Sequence, residues 1–506
     1  MFSNLPLLSL LIWLPIVGGG LVLLTGDDRH ANKARWLTLA IATVTMLLCI
    51  PLYLGFDTAT YHMQFTELHN WIPRYDVYYS LGVDGISMPM VLLSTFTTFV
   101  VVLASWKPIK KNVAQYMALF LIMQGLMVGV FCALDSILFY VFWEAMLIPM
   151  YLTIGMWGME NRVYASIKFF IYTFLGSALM LVALLYLRYY AHSFSILAFY
   201  KLPLTMTEQV FIFLAFLLAF AVKIPMFPFH TWLPDAHTEA PAGGSVVLAA
   251  LMLKMGVYGF LRFSLPITPD ASQALEWLMI ILSLVAVIYI SFVAIGQKDM
   301  KRLIAYSSIA HMGFATLACF MIYMIINRTG NIADAYMSLE GAMVQMISHA
   351  FSTGAMFFGI GILYERMHSR MMADYGGIVN TMPVFAAFFM LFAMSNVGLP
   401  GTSGFVGEFM IILSTFKASF WITFFAASTL ILGAAYTLWM YKRVFFGEIA
   451  NDKVRQCEDI HGTEKVVMTV LAVAVIFIGV YPEPLLNLFH ASVGHLLQIS
   501  HISKLG

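Results

Sequence analysis

Runs of about twenty apolar residues, separated by short polar segments, follow one another along almost the whole chain. A helix needs a run of about that length to cross the ~30 Å hydrocarbon core of a bilayer. The pattern predicts fourteen spans, at approximately 5–25, 36–55, 83–105, 112–133, 136–157, 166–188, 207–227, 242–265, 274–296, 302–325, 340–363, 379–397 resuming at 404–416, 419–441 and 466–488. Two of them are interrupted. Span 7 runs into Pro225 and Pro228, and span 12 breaks around Pro400 in the stretch Asn396 to Gly404. Each proline removes an N–H and clashes with the carbonyl four residues back. Backbone freed at membrane depth persists only where protein or a water-filled cavity satisfies it. The broken spans lie five apart, and five is odd, so the pattern points to two inverted five-helix repeats, each with one discontinuous helix.

Charge adds the topology. Loops joining each odd span to the next even one hold 17 of the 27 lysines and arginines, Lys301 among them. The opposite loops hold 7, among which Arg262 is counted, and Lys168, Lys223 and Lys254 fall inside or at the edge of spans. Basic loops stay inside, so both termini are expected on the outer, periplasmic side of a bacterial inner membrane. The long outer loop 56–82, with Trp71, Tyr75, Tyr78 and Tyr79, reads as an interfacial segment.

Composition agrees. Hydrophobic residues make up 61% of the 506 and charged residues 10%, against about 25% charged in ordinary soluble domains. The fold class expected is an all-α polytopic membrane protein. A net charge of +1 gives no handle on nucleic acid or acidic partners. Residues 1–20 lack a basic n-region and a small-residue cleavage site, so they read as a first span and not as a signal peptide. Cys49, Cys132, Cys319 and Cys457 are scattered with no CxxC pair. That argues against an iron–sulfur cluster, a c-type haem or a disulfide framework, and no cofactor or metal is expected in this chain.

The candidate chemistry lies in the ionisable side chains inside spans, each a costly group that marks function by default. Glu144 sits in an aromatic and aliphatic helix, where it must be neutralised, paired or hydrated. Lys223 stands just before Pro225. Twelve residues separate Lys254 from Pro241, roughly 18 Å of helix, so it is too deep to snorkel easily. Lys168, with Tyr172 one turn on, either snorkels to the interface or forms a mouth toward Lys223. His311 lies in span 10; Gln345, His349 and Ser352 share one face of span 11. Imidazoles there suit proton relay and equally suit interhelix hydrogen bonding. Glu408 follows the break in span 12. Asp84 reads as a carboxylate on a helix start.

Certain strings carry a resemblance. They are Trp143-Glu144 with Pro149-Met150, Val222-Lys223-Ile224-Pro225, Trp232-Leu233-Pro234-Asp235-Ala236-His237, and Leu253-Lys254. With them go Lys301 to Ser308, His311-Met312-Gly313, and Gly407-Glu408-Phe409. Over essentially the whole chain these resemble the antiporter-like membrane subunits of respiratory complex I. Of the three related bacterial types, the M pattern fits best. Glu408 stands where the L and N types carry lysine, and the chain stops about twenty residues after span 14, without the long lateral helix of the L type.

The resemblance implies helices 1–3 with an outer loop in 1–111, one repeat in 112–265, an inverted one in 274–441, and an inner loop, helix 14 and tail in 442–506. It implies a Glu144–Lys223 pair, a central relay at Lys254, an exit-side group at Glu408, and His311 and His349 along a hydrated axis. Protons would move through this chain, coupled to NADH oxidation and quinone reduction in other subunits. FMN, iron–sulfur clusters and quinone belong to those subunits, with L-type and N-type neighbours beside this one. Three competing readings are a subunit of a multisubunit sodium/proton antiporter, the membrane arm of a hydrogenase or formate-oxidising complex, and a non-conducting structural spacer.

Overall fold

The computed structural model describes residues 5–505, so the outermost positions of the first and last expected segments lie outside it. Within the membrane the chain is all helix. Among the described residues, twelve helices are long and apolar enough to cross a bilayer, from Asp28–Leu54 to Thr463–Val480. Each falls on an expected run. The two remaining runs are shorter: Leu7–Leu23 has 17 residues, and span 12 is split into Pro383–Val397 and Ser403–Phe416.

Caps and prolines set the boundaries. Asp135 accepts from the N–H groups of Ile137 and Leu138 and starts the helix Ser136–Ala145. That helix bends at Met146, where Pro149 cannot accommodate the carbonyl of Ala145. Thr205 and Glu208 form a reciprocal capping box at the head of Met206–Lys223. This helix ends at Lys223, and no regular helix forms through Pro225 and Pro228 until Trp232–Glu239 begins.

Two helices form the centre. Ala242–Ile267 and Met300–Thr329 are buried along their full apolar length, whereas Asp28–Leu54, Arg162–Ala191, Glu276–Ile295, Phe420–Phe445 and Thr463–Val480 bury less than half of theirs. The long helix Ala333–Met367 crosses this core and packs on both halves of the broken span 12. Small residues allow the closest approaches. Gly256 faces the Phe220 carbonyl and Ile224, and any side chain at Gly404 would strike the Ser395 carbonyl.

Four expectations change. The loop 56–82, expected as an interfacial segment, folds into an antiparallel hairpin, β1 Gln64–Ile72 and β2 Val77–Val83, in an otherwise all-helical membrane protein. Its alternating aromatic and polar residues fit a half-buried ladder better than a surface coil. Span 14 stops at Val480; Pro482 opens a separate helix, Glu483–His501, which packs on Ala333–Met367. Lys301 is no loop residue: it is buried, and its Nζ donates to the Ala240 carbonyl. Arg262 is likewise buried inside a span. Its Nη2 lies 2.6 Å from Asp84 Oδ1, and its Nε donates to the Tyr258 hydroxyl at 3.2 Å. Asp84 therefore does two jobs, capping the helix through the N–H groups of Ile86 and Ser87 and neutralising Arg262.

Removing one partner of such a pair leaves a bare buried charge. Asp84→Ala is expected to destabilise the protein by about 3–5 kcal/mol, read as a lower thermal unfolding midpoint. Adding Arg262→Met should restore most of that loss; a double variant as unstable as the single one would mean the pair is not the cause.

Candidate functional site

Lys254 is fully buried at the middle of the central helix. The backbone around it is unusual. Leu248–Met252 and Phe260–Ser264 are turns of π-helix that bracket the α-helical segment Leu253–Gly259. Such turns pull carbonyls out of the i→i−4 ladder and recur at functional sites. The first does so here, because the Ala249 carbonyl accepts a hydrogen bond from Lys254 Nζ. The second contact of Nζ is His349 Nδ1, 2.6 Å away. Between an ammonium and an imidazole, such a contact requires one nitrogen to accept, so the two share a proton and cannot both donate.

His349 and His311 face each other from neighbouring helices, their ring centroids 5.8 Å apart. His311 Nδ1 lies 3.2 Å from Glu408 Oε1, and Gln345 Nε2 reaches the same two atoms at 3.3 and 3.5 Å. Nδ1 either donates to the carboxylate or accepts from the amide. The position of one proton thus selects between two hydrogen-bond patterns of unchanged geometry.

The break in span 12 makes room for Glu408. Gly398, with φ of 85°, turns the chain out of the first half-helix, and its bare Cα faces Glu408 Oε2. Asn396 anchors the same turn by donating to Ser307 and Thr437. Pro225 and Pro228 lie in the corresponding gap after Lys223, and Pro400 in the link between the halves of span 12.

At the other end, Lys223 and Glu144 approach without closing a hydrogen-bonded ion pair. Lys223 Nζ lies 5.1 Å from the centroid of the Trp143 ring and donates to no protein acceptor. The aromatic face itself attracts the ammonium. Glu144 is half-buried and accepts from Ser177 Oγ instead. The Trp143 ring packs on Phe220, and Trp232 Nε1 donates to the Val222 carbonyl at 2.9 Å, which holds the helix end around Lys223. Lys168 stands apart, bonded to Asp235 at 2.7 Å; Arg302 reaches the other oxygen of Asp235 at 3.6 Å.

Four of the predicted residues, Lys254, His349, His311 and Glu408, thus form one series. Glu144 and Lys223 form a second group across Trp143, and Lys168 joins neither. Sequence reasoning passed over His237 as a site residue. It is fully buried, stacks on Phe357 at 4.5 Å, and neither ring nitrogen has a protein partner. Its place just past the double-proline break was the signal that could have found it. Ser177, the Glu144 partner, gave no signal, because serine is common in packed membrane helices. Nε2 of His311 and of His349, Oε1 of Gln345 and Oε2 of Glu408 are also buried without a protein partner. Among the described residues, no group of three or more His, Cys, Asp and Glu could hold a metal ion.

The fold and these side chains define a class: a multi-pass, helical membrane protein with ionisable groups strung through its interior. Two family models divide the chain. "NADH-ubiquinone oxidoreductase chain 4, amino terminus" matches residues 32–134, and "NADH:quinone oxidoreductase/Mrp antiporter, TM" matches residues 133–433. The NADH-quinone oxidoreductase subunit M of Rhodobacter capsulatus is 46% identical, over 98% of this chain and 97% of that protein. A chain of Thermus thermophilus respiratory complex I superposes with a TM-score of 0.87 at 31% identity, covering 99% of this chain and all of that one. The Mrp complex of Dietzia shares the fold, with a TM-score of 0.81 at 21% identity over 97% of this chain and 52% of that one. The chain belongs to the subunit M family of NADH-quinone oxidoreductase, the antiporter-like, proton-translocating membrane subunits of complex I.

A methyl group at position 398 cannot coexist with the observed Glu408 rotamer, and the φ there is strained for any L side chain. Gly398→Ala is expected to cost about 1–3 kcal/mol in stability. It should also turn Glu408 away from His311, so that infrared difference spectra lose the Glu408 carboxyl band at its wild-type position. An unmoved band would remove the steric argument.

Proposed function

We propose that protons cross this subunit along Glu144, Lys223, Lys254, His349, His311 and Glu408, in that order from the half-exposed end to the buried one. The observation that carries the reading is the run of contacts from Lys254 Nζ through His349 and His311 to Glu408 Oε1. Each member can gain or lose a proton without a large side-chain movement, and each hands its partner the role it gives up. Lys223 is the mobile link. It is attracted to the Trp143 face and to Glu144 but hydrogen-bonded to neither, so its charge is free to respond to a field from outside the subunit. Between Lys223 and Lys254, and between the two histidines, water completes the path. His237, buried close to Lys254 and Lys301, is the side chain such water would meet. Lys168, paired with Asp235, serves as a fixed charge near the mouth.

Several broader features belong to this proposal. The segments 112–265 and 274–441 act as two inverted repeats, one built on the break after Lys223 and the other on the break at Pro400. Residues 1–111 and 442–506 flank them. The short helices Leu7–Leu23 and Pro383–Val397 with Ser403–Phe416 complete fourteen spans, with both termini outside. An L-type and an N-type subunit lie to either side, and the flavin, clusters and quinone act in other subunits.

In inverted membrane vesicles, Glu144→Ala is expected to abolish NADH-driven lumen acidification and to slow quinone reduction with it, while the complex still assembles. Untouched NADH-linked activities with loss of sodium/proton exchange alone would replace this reading by an antiporter. Lys254→Met should lower proton translocation by on the order of a hundredfold or more, the usual contribution of a positioned proton carrier. Normal pumping in that variant would take Lys254 off the path.

A further inference from the structure

A cavity of about 750 Å³ opens on the face of the molecule that carries most of the basic residues. Its wall draws on six stretches of the chain, helix ends and linkers together, and its charge is one-sided. Arg35, Lys107, Lys110, Lys301 and Arg370 line it, against the single carboxylate of Glu365. Two of these cations are already committed: Lys301 Nζ donates to the Ala240 carbonyl, and Arg370 pairs with Asp299 at 3.1 Å. Arg35 bonds only neutral acceptors, the Ile109 carbonyl and Asn32 Oδ1, and its buried Nε has no partner. Among the described residues, neither Lys107 nor Lys110 forms an ion pair closer than 4.0 Å.

An excess of positive charge repels hydronium and metal cations, so this cavity is a poor mouth for the proton path. It suits an oxyanion. Two further features say which one. Trp106 and Trp157 stand in its wall, and Trp36, packed edge-on against Trp106 with ring centroids 5.0 Å apart, is exposed beside it. Tryptophans gather at headgroup level. Below Trp36, on the face of the same helix that turns away from Arg35, Val44, Leu47 and Ile50 are exposed, an apolar strip able to carry acyl chains. We infer that the cavity binds the phosphate headgroup of an anionic phospholipid, with its chains lying along the helix Ala31–Leu54. Basic pockets between membrane helices take such headgroups. A soluble phosphate would use the same cations but would gain nothing from the tryptophans or the apolar strip.

The test uses the whole purified complex. Native mass spectrometry should find a tightly retained anionic phospholipid that is lost when Lys107 and Lys110 are both replaced by Gln, with NADH-driven electron transfer unchanged. Retention should weaken about thirtyfold, which corresponds to about 2 kcal/mol for two cations near the surface. The double Arg variant should keep the lipid. As a second measurement that needs no variant, a photoactivatable phosphatidylglycerol in vesicles should crosslink the wild-type complex within residues 106–110. Equal retention in the Gln variant, labelling elsewhere only, equal labelling by a zwitterionic analogue, or displacement by millimolar inorganic phosphate would each overturn the assignment.

Discussion

A charge inside hydrocarbon must be answered within a few ångströms, and this chain carries an unusual number that need answering. Each solution it uses leaves a different freedom. Arg262 and Asp84 answer each other directly, in a contact with no reason to open. Lys254 and Lys301 are answered by backbone carbonyls, dipoles that steady an ammonium without fixing its proton. Lys223 has only the face of Trp143 and Glu144, to which it is not hydrogen-bonded. The looser the answer, the more readily the group changes state. Under the proposed proton path, the ranking from Arg262 to Lys223 runs from framework to machinery.

Irregular backbone supplies the loose answers. A regular helix consumes its own carbonyls and has none to offer a buried lysine. Lys254 gets its acceptor from the π-turn at Leu248–Met252, and Lys301 gets one from Ala240, the residue that ends the helix Trp232–Glu239. At Glu408 the helix is interrupted outright, and Gly398 provides the turn that no side-chain-bearing residue makes without strain. Prolines, glycines and π-turns cost helix stability where they occur. That cost is acceptable here because neighbouring helices, the fully buried pair above all, hold the segments in place.

This division also explains what could be read from the sequence. Hydrophobic runs located every helix that is long and apolar enough to cross a bilayer, because length and apolarity are all a bilayer asks of a span. Both breaks were legible from proline and glycine, and Lys254, His311, His349 and Glu408 from their cost in an apolar run. Pairing was harder. Arg262 and Lys301 sit near the ends of apolar runs, where a basic residue in a loop and one turned inward look alike. Only the partners tell them apart, and Asp84 is 178 residues away from Arg262. The hairpin was missed because Trp and Tyr serve both as interfacial anchors and as strand formers. The π-turns left no mark at all. The first, Leu-Ala-Ala-Leu-Met, reads as ordinary helix, yet it is the turn that packs against Ala333–Met367 and supplies the carbonyl that Lys254 uses.

The two ends of the proposed proton path are not equivalent, and the difference has a direction. Glu408 is closed in by Gln345, His311 and Gly398, so its surroundings change only if the core changes. Glu144 is half-buried beside a helix, Arg162–Ala191, that keeps Ile171, Leu175 and Leu179 exposed along its length. In the proposed arrangement, with a neighbouring subunit to either side, it is this face that a neighbour meets. A charge brought up to that face acts on Glu144 first, across little protein and with a low dielectric to carry it. Lys223 feels the result through Glu144, since no hydrogen bond holds it elsewhere. On the proposed path a signal from outside the subunit thus has one place where it is felt strongly, and that place lies at the opposite end of the path from the enclosed carboxylate.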